Sequence, residues 1–223
     1  MNKNMQIKKA FKGIGMEGPI AIWYAKLTLK DLKRHKLMAA QLAPKIPVGG
    51  RVLEIAPGPG YFCIELARLG NFQITGLDIS KSFVEIAHKN AVEAGVKVDF
   101  RQGNASTMPF ENETFDFTFC QAAFKNFSEP VRAIAEMNRV LRSKGVAVIV
   151  DLRRDASQEG IDREIEGMDL GRMDELMTRW TFKQMLLKSA YSVTEMKGFV
   201  AQTPFVKYKI DTNDIGFELW LEK

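Results

Sequence analysis

From Arg51 to Val150 the chain alternates short runs of strand-forming residues with longer stretches whose apolar positions recur every three or four residues. Arg51 to Ala56 reads as a strand, followed by a Gly/Pro turn and a helical stretch from Tyr61 to Leu69. Gln73 to Leu77 is a second strand candidate. The helix after it has Ser82 and Glu85 at capping-box spacing, with Phe83, Ile86, Ala87 and Ala91 on one face. Val96 to Phe100 and Phe115 to Cys120 supply two more strands. Ser128 can cap the next helix, Pro130 fits its first turn, and Val131, Ile134, Met137 and Leu141 form its apolar face. Gly145 to Val150, the most apolar stretch, reads as a fifth strand.

Strands and helices alternating at this spacing imply right-handed βαβ units and a parallel sheet. Runs that are apolar on both faces fit a sheet covered by helices on both sides. The ends differ from the middle. Residues 18–43 carry a helical pattern through Ile20, Trp23, Tyr24, Leu27, Leu32, Met38 and Leu42. Residues 157–180 also read as helical, loosened by Gly160, Gly167 and Gly171, and Ser192 with Glu195 marks a further helix start. Phe205 to Ile210 and Ile215 to Leu221 alternate apolar and polar residues around Asp211-Thr-Asn-Asp214, the pattern of an antiparallel hairpin. The expected fold is α/β: a doubly wound, mostly parallel seven-stranded sheet with a C-terminal antiparallel hairpin and helical lid segments. Residues 1–45 are expected to form a helical cap and 46–223 the core, with 152–200 as a helical lid before the hairpin.

Composition narrows the class of protein. With 223 residues, 46% hydrophobic and 26% charged, the chain suits one large globular domain and excludes disorder, collagen and coiled coil. No apolar run approaches the roughly eighteen residues of a membrane span. Cys63 and Cys120 form no CxxC pair, and the only histidines are His35 and His88, so no metal site is expected. Both cysteines are expected in the core, His35 in solvent and His88 in a structural place. Free thiols and the lack of a signal-peptide pattern point to the cytoplasm. Charge is uneven: residues 1–45 hold ten Lys or Arg against two acids, while the rest holds 22 against 25. A basic segment on a near-neutral domain fits an anionic substrate, nucleic acid, a membrane surface or a solvated lysine-rich face.

The chemistry concentrates in Val52-Leu-Glu-Ile-Ala-Pro-Gly-Pro-Gly60, where a strand ends, glycines turn the chain and a helix begins. Gly58 and Gly60 allow close backbone approach to a ligand. Glu54 lies at the sheet's carboxyl edge, where open α/β sheets bind ligands. Asp78 ends the second strand, 18 residues after Gly60, placed to accept hydrogen bonds from ribose hydroxyls. A dinucleotide loop wants a third glycine where Cys63 stands, and pyrophosphate gains nothing from Glu54. The sulfonium and ammonium of S-adenosylmethionine do.

On these residues the chain resembles the class I S-adenosylmethionine-dependent methyltransferases, a Rossmann-like family, and especially the quinone-biosynthesis C-methyltransferases of its small-molecule branch. The family's glycine motif corresponds to Glu54-Ile-Ala-Pro-Gly-Pro-Gly60, with Ala56 at the first glycine. Arg101-Gln-Gly-Asn-Ala-Ser-Thr-Met-Pro-Phe110 resembles the adenine-binding stretch, with Asn104 in place of an acid. Gln121-Ala-Ala-Phe-Lys-Asn-Phe127 corresponds to the loop lining the methyl-transfer site. Glu136, Arg139-Val-Leu141 and Lys144-Gly145 resemble the stretch before the fifth strand. The resemblance implies cofactor contacts from Glu54, Ala56, Gly58, Gly60, Tyr61, Asp78, Ile79, Asn104, Ala105 and Gln121. Trp23, Tyr24, Phe124, Lys125, Asn126 and Arg153 are candidates to line the acceptor site, and no catalytic residue is assigned.

The expected reaction is in-line methyl transfer to a small apolar or aromatic molecule, because Met16, Trp23, Met168, Met173, Met177, Trp180, Phe182 and Met185 fall in the lid segments. The same residues leave a homodimer contact open. Gln121-Ala-Ala-Phe124 lacks the Pro-Pro-aromatic run of amino-methylating nucleic-acid enzymes. RNA methylation through the basic N-terminus and a non-catalytic, cofactor-binding partner role are the alternatives. A nicotinamide dehydrogenase ranks below them.

Overall fold

A computed structural model describes residues 11–12, 15–166 and 186–223. Seven strands form one sheet: β1 (Arg51–Ile55), β2 (Gln73–Asp78), β3 (Asp99–Gln102), β4 (Phe115–Gln121), β5 (Leu141–Leu152), β6 (Lys207–Thr212) and β7 (Gly216–Glu222). Their order is β3-β2-β1-β4-β5-β7-β6. The first five are parallel, and β7 runs antiparallel to both β5 and β6. The doubly wound sheet and its closing hairpin are as the sequence pattern predicts.

Helices cover both faces. α2 (Leu32–Leu42), α3 (Tyr61–Ala67) and α4 (Lys81–Glu93) bury Leu42, Phe62, Leu66 and Ala87 against Val52, Ile74, Phe117 and Phe119. α5 (Pro130–Val140) and a later helix, Val193–Val200, bury Ile134, Met137 and Met196 against Leu53, Ile55 and Leu219 on the other side. Successive residues Val52 and Leu53 thus enter opposite cores, as the two-residue period of a strand requires. α1 (Pro19–Thr28) precedes α2, and α6 (Gln158–Glu166) follows β5.

Local signals hold in part. The Ser192–Glu195 capping box forms in full, and Pro130 starts α5. α4, however, is capped by Ser80, whose hydroxyl accepts from Phe83 N at 3.0 Å, not by Ser82. Ser128 makes no cap; Glu129 occupies that position and the Ser128 hydroxyl has no hydrogen-bond partner. The helical pattern of residues 18–43 is interrupted by a 3-10 turn at Leu29–Asp31. Of residues 157–180, only those through Glu166 lie within the described structure. Met168, Met173, Met177, Trp180, Phe182 and Met185 lie outside the described residues. His88 is structural, its Nε2 2.9 Å from the Phe100 carbonyl. His35, expected in solvent, is instead half-buried against the Tyr61 ring, with centroids 5.9 Å apart and Nδ1 enclosed.

Candidate functional site

The loop after β1 bends because three of its residues adopt positive φ: Ala56 (56°), Gly58 (53°) and Gly60 (80°). At Gly58 a side chain would meet no atom within 4 Å, so this face of the loop is open. Gly60 is the reverse. A Cβ there would stand 2.7 Å from Phe100 Cζ and 3.0 Å from Ala87 Cβ, so glycine lets α3 sit close to β3 and α4. Gly60→Ala is expected to lower stability by about 2–4 kcal/mol through left-handed strain and overpacking, read from urea unfolding.

Two carboxylates frame this loop. Asp78, at the end of β2, accepts from Gly58 N at 3.0 Å and Ser80 N at 2.9 Å, so it orders the loop and the start of α4 together. Glu54 accepts from Cys63 Sγ at 2.8 Å. Cys63 thus stands in place of a third glycine and satisfies a buried acid; its own thiol is pushed well up by burial. Burial raises Glu54 to about 7, opposed by the Cys63 hydrogen bonds, and raises Asp78 to about 6, opposed by those from Ser80 and Gly58. Neither acid pairs with a basic side chain among the described residues. Two desolvated carboxyls without a counter-charge make a place where a cation is electrostatically favoured.

The neighbouring strand ends complete the crevice edge. Ile79 follows Asp78 and is partly exposed. Asn104 Oδ1 accepts from Ser106 N at 2.9 Å, which makes it a turn former; its oxygen keeps a second lone pair. Ala105 packs on the main core. Gln121, at the end of β4, has an enclosed Oε1 with no hydrogen-bond partner among the described residues. The Gln121 oxygen, the open face of Gly58 and the two uncompensated acids fit a nucleoside carrying positive charge, and they do not fit an anionic pyrophosphate.

Residues 16–25 are tied to this same edge. Ser80 Oγ donates to the Met16 carbonyl at 2.5 Å, and Glu17 accepts from Lys81 N and Ser82 N, each at 3.0 Å. Gly18 N donates to Ser82 Oγ at 2.9 Å, and Tyr61 Oη donates to the Ala25 carbonyl at 2.8 Å. Tyr61 therefore joins loop to cap. Tyr24 packs edge-on against Phe83, and burial, then the charges of Asp31, Asp151 and Asp78, raises its phenol above the usual value. Trp23 points outward. Ser80 and Glu17 tie residues 16–18 to the start of α4, and the sequence pattern did not single them out. Ser80 was recoverable as a serine just before a helix; Glu17 acts across 64 residues and left no local signal.

On the acceptor side, Phe124 is enclosed in the core beside Phe127 and Tyr191. Lys125 is buried, its Nζ 3.0 Å from Asp151 Oδ1 and also bonded to the Ala122 carbonyl. Asp151 Oδ2 accepts from Lys125 N at 2.8 Å, and Oδ1 from Leu152 N at 2.7 Å. The Asn126 carbonyl accepts from Lys12 N at 2.7 Å. Arg153 Nε is buried, 3.9 Å from Asp155 Oδ1, and has no hydrogen bond among the described residues. The cofactor candidates thus gather at the ends of β1 to β4, whereas Trp23, Phe124 and Lys125 do not share one open surface.

The chain is similar in sequence and fold to several known proteins. Residues 53–149 match the family described as "Methyltransferase domain". A demethylmenaquinone methyltransferase from Deinococcus radiodurans is 33% identical over 108 residues, 48% of this chain and 45% of that protein. The methyltransferase YcgJ from Bacillus subtilis is 36% identical over 102 residues, 45% of this chain and 40% of that protein. The chain thus spans less than half the length of these curated relatives. A Methanococcus maripaludis structure described as an S-adenosyl-L-methionine-dependent methyltransferase superposes with a TM-score of 0.75 at 21% identity, covering 95% of each chain. Residues 53–149 are therefore similar to a methyltransferase domain, in a chain that shares the overall fold of the Methanococcus maripaludis structure.

Proposed function

We propose that the chain transfers a methyl group from S-adenosylmethionine to a small, apolar or aromatic acceptor, of the kind named for its quinone-biosynthesis relatives. The observation that carries this reading is the uncompensated pair of buried carboxyls, Glu54 and Asp78, on either side of a glycine loop with one open face. When bound, the cofactor supplies a methyl group already activated on a sulfonium for in-line displacement. The chain's residues hold and orient it. Asp78 would accept from the ribose hydroxyls with its remaining lone pairs, and Glu54 would provide negative charge toward the cationic end. Ala56 and Gly58 would bring backbone close while Gly60 lets α3 pack, Ile79, Asn104 and Ala105 would border the base, and Gln121 Oε1 would offer an acceptor.

Catalysis then rests on positioning and exclusion of water. The Lys125–Asp151 pair fixes the loop after β4, and Met16, Glu17 and Gly18 border the crevice on the Ser80 side. Burial raises the Tyr24 phenol above the usual value, which favours its protonated form. The test is calorimetric titration with S-adenosylmethionine, S-adenosylhomocysteine and NAD. The first two are expected to bind and NAD is not. Asp78→Ala is expected to weaken cofactor binding by about tenfold or more, since it removes charge-assisted hydrogen bonds. Unchanged affinity in that variant would remove the ribose assignment.

A further inference from the structure

α1 is built inside out. Its inward positions are Ala21 and Ala25, at 0% and 7% exposure, while Trp23, Leu27 and Ile20 stand outward at 62%, 45% and 43%. A surface helix ordinarily buries its large apolar residues and exposes its polar ones. Ile20, Trp23 and Leu27 follow i, i+3, i+7 spacing, so they form one stripe. Lys26 and Lys30, four residues apart, form the adjoining row.

The surrounding charge is of one sign. Residues 18–50 contain six Lys or Arg and one acid, Asp31. Lys26, Lys30, Lys33, Arg34 and Lys36 are exposed, and none forms a salt bridge among the described residues. An apolar stripe with an aromatic residue, bordered by lysines, is the pattern of a helix that lies in the interface of an anionic bilayer. Among the described residues no helix is long and apolar enough to cross a membrane, so this would be attachment to the surface. The stripe adjoins the crevice: α1 is held by Tyr61 through Ala25, and the Tyr24 phenol lies in the field of Asp78 and Asp151, at the ends of β2 and β5.

We propose that α1, with the lysines of the turn and helix after it, docks the protein on an anionic lipid surface beside the mouth of the crevice. Apolar residues enter the acyl boundary and the lysines meet the headgroups. An acceptor dissolved in lipid would then enter without crossing water, but the docking itself does not rest on methyl transfer. The test is flotation of the full chain, without cofactor, on phosphatidylcholine vesicles with and without phosphatidylglycerol. Strong partitioning only with phosphatidylglycerol, weakened by salt, is the expected result. Ile20→Ser combined with Trp23→Ser, and separately Lys26→Glu combined with Lys30→Glu, are each expected to lower partitioning by about tenfold or more. All four positions are exposed, so circular dichroism should show unchanged folding. Failure of the wild-type chain to float, or equal flotation of the variants, would overturn the proposal. So would concentration-dependent dimerisation that Trp23→Ser abolishes, because it would assign the stripe to a second copy.

Discussion

Asp151→Ala is expected to destabilise the protein by about 3–5 kcal/mol, the cost of stranding a buried charge. Asp151 is the only described carboxylate bonded to Lys125, and the two side chains are 1% and 7% exposed. Its two oxygens receive Lys125 Nζ, Lys125 N and Leu152 N. Without them the ammonium keeps one carbonyl, that of Ala122, a residue already held at a φ of 55°. The loop from Ala122 to Asn126 loses its tie to β5, so cofactor and acceptor binding should weaken along with stability. Replacing both partners by apolar residues, Lys125→Met with Asp151→Leu, is expected to recover much of the loss, because the penalty comes from the unpaired charge. Urea unfolding of the three proteins reads this directly. A cost below about 1 kcal/mol for Asp151→Ala would mean that Lys125 reaches water in solution.

Cofactor affinity is expected to rise by about three orders of magnitude from pH 5 to pH 8, because Glu54 must ionise to meet the cation and Asp78 to accept from the ribose. In the free protein burial holds Glu54 at about 7 and Asp78 at about 6, so both are largely neutral at the acid end. A bound sulfonium lowers both, and binding therefore releases protons. Calorimetry in two buffers of different ionisation enthalpy measures that release. The free protein follows the opposite course. Both folded values lie above the ordinary 4.5 and 3.8, so the stability these groups contribute is complete below about pH 4 and is lost as pH rises through 6 and 7. Glu54→Gln should flatten the upper part of that decline and the affinity profile together. Affinity independent of pH would show that Glu54 is not where the positive charge sits.

The sheet was legible because each strand and each covering helix keeps its own period, and the glycine loop because turning from strand into helix leaves few residue choices. Asp78 was legible from its distance to that loop. What escaped depends on partners far along the chain. Ser80 and Ser82 are equally good caps in isolation; Ser82 is used to hold Gly18 instead. Leu141 reads as the last turn of a helix but opens β5, because the strand continues backward past Lys144 at a φ of 66°. The pairing of Lys125 with Asp151 spans 26 residues and carries no periodic mark. In α1 the apolar count predicts a helix correctly, yet it cannot say that the alanines face inward, since that depends on how closely the cap approaches α4.

The order of strands also governs how the protein can be assembled as it is synthesised. β6 touches the sheet only through β7, and β7 is inserted between it and β5. The earlier-made strand therefore has no neighbour to bond until the later one emerges. Before that moment β5 presents an open edge, and the side of the core that receives Leu219 and Leu221 stays incomplete. A chain that folds as it emerges would pass through a five-stranded stage with an unpaired border, a form prone to join another nascent chain. Ribosomes stalled shortly before Gly216 would hold it there.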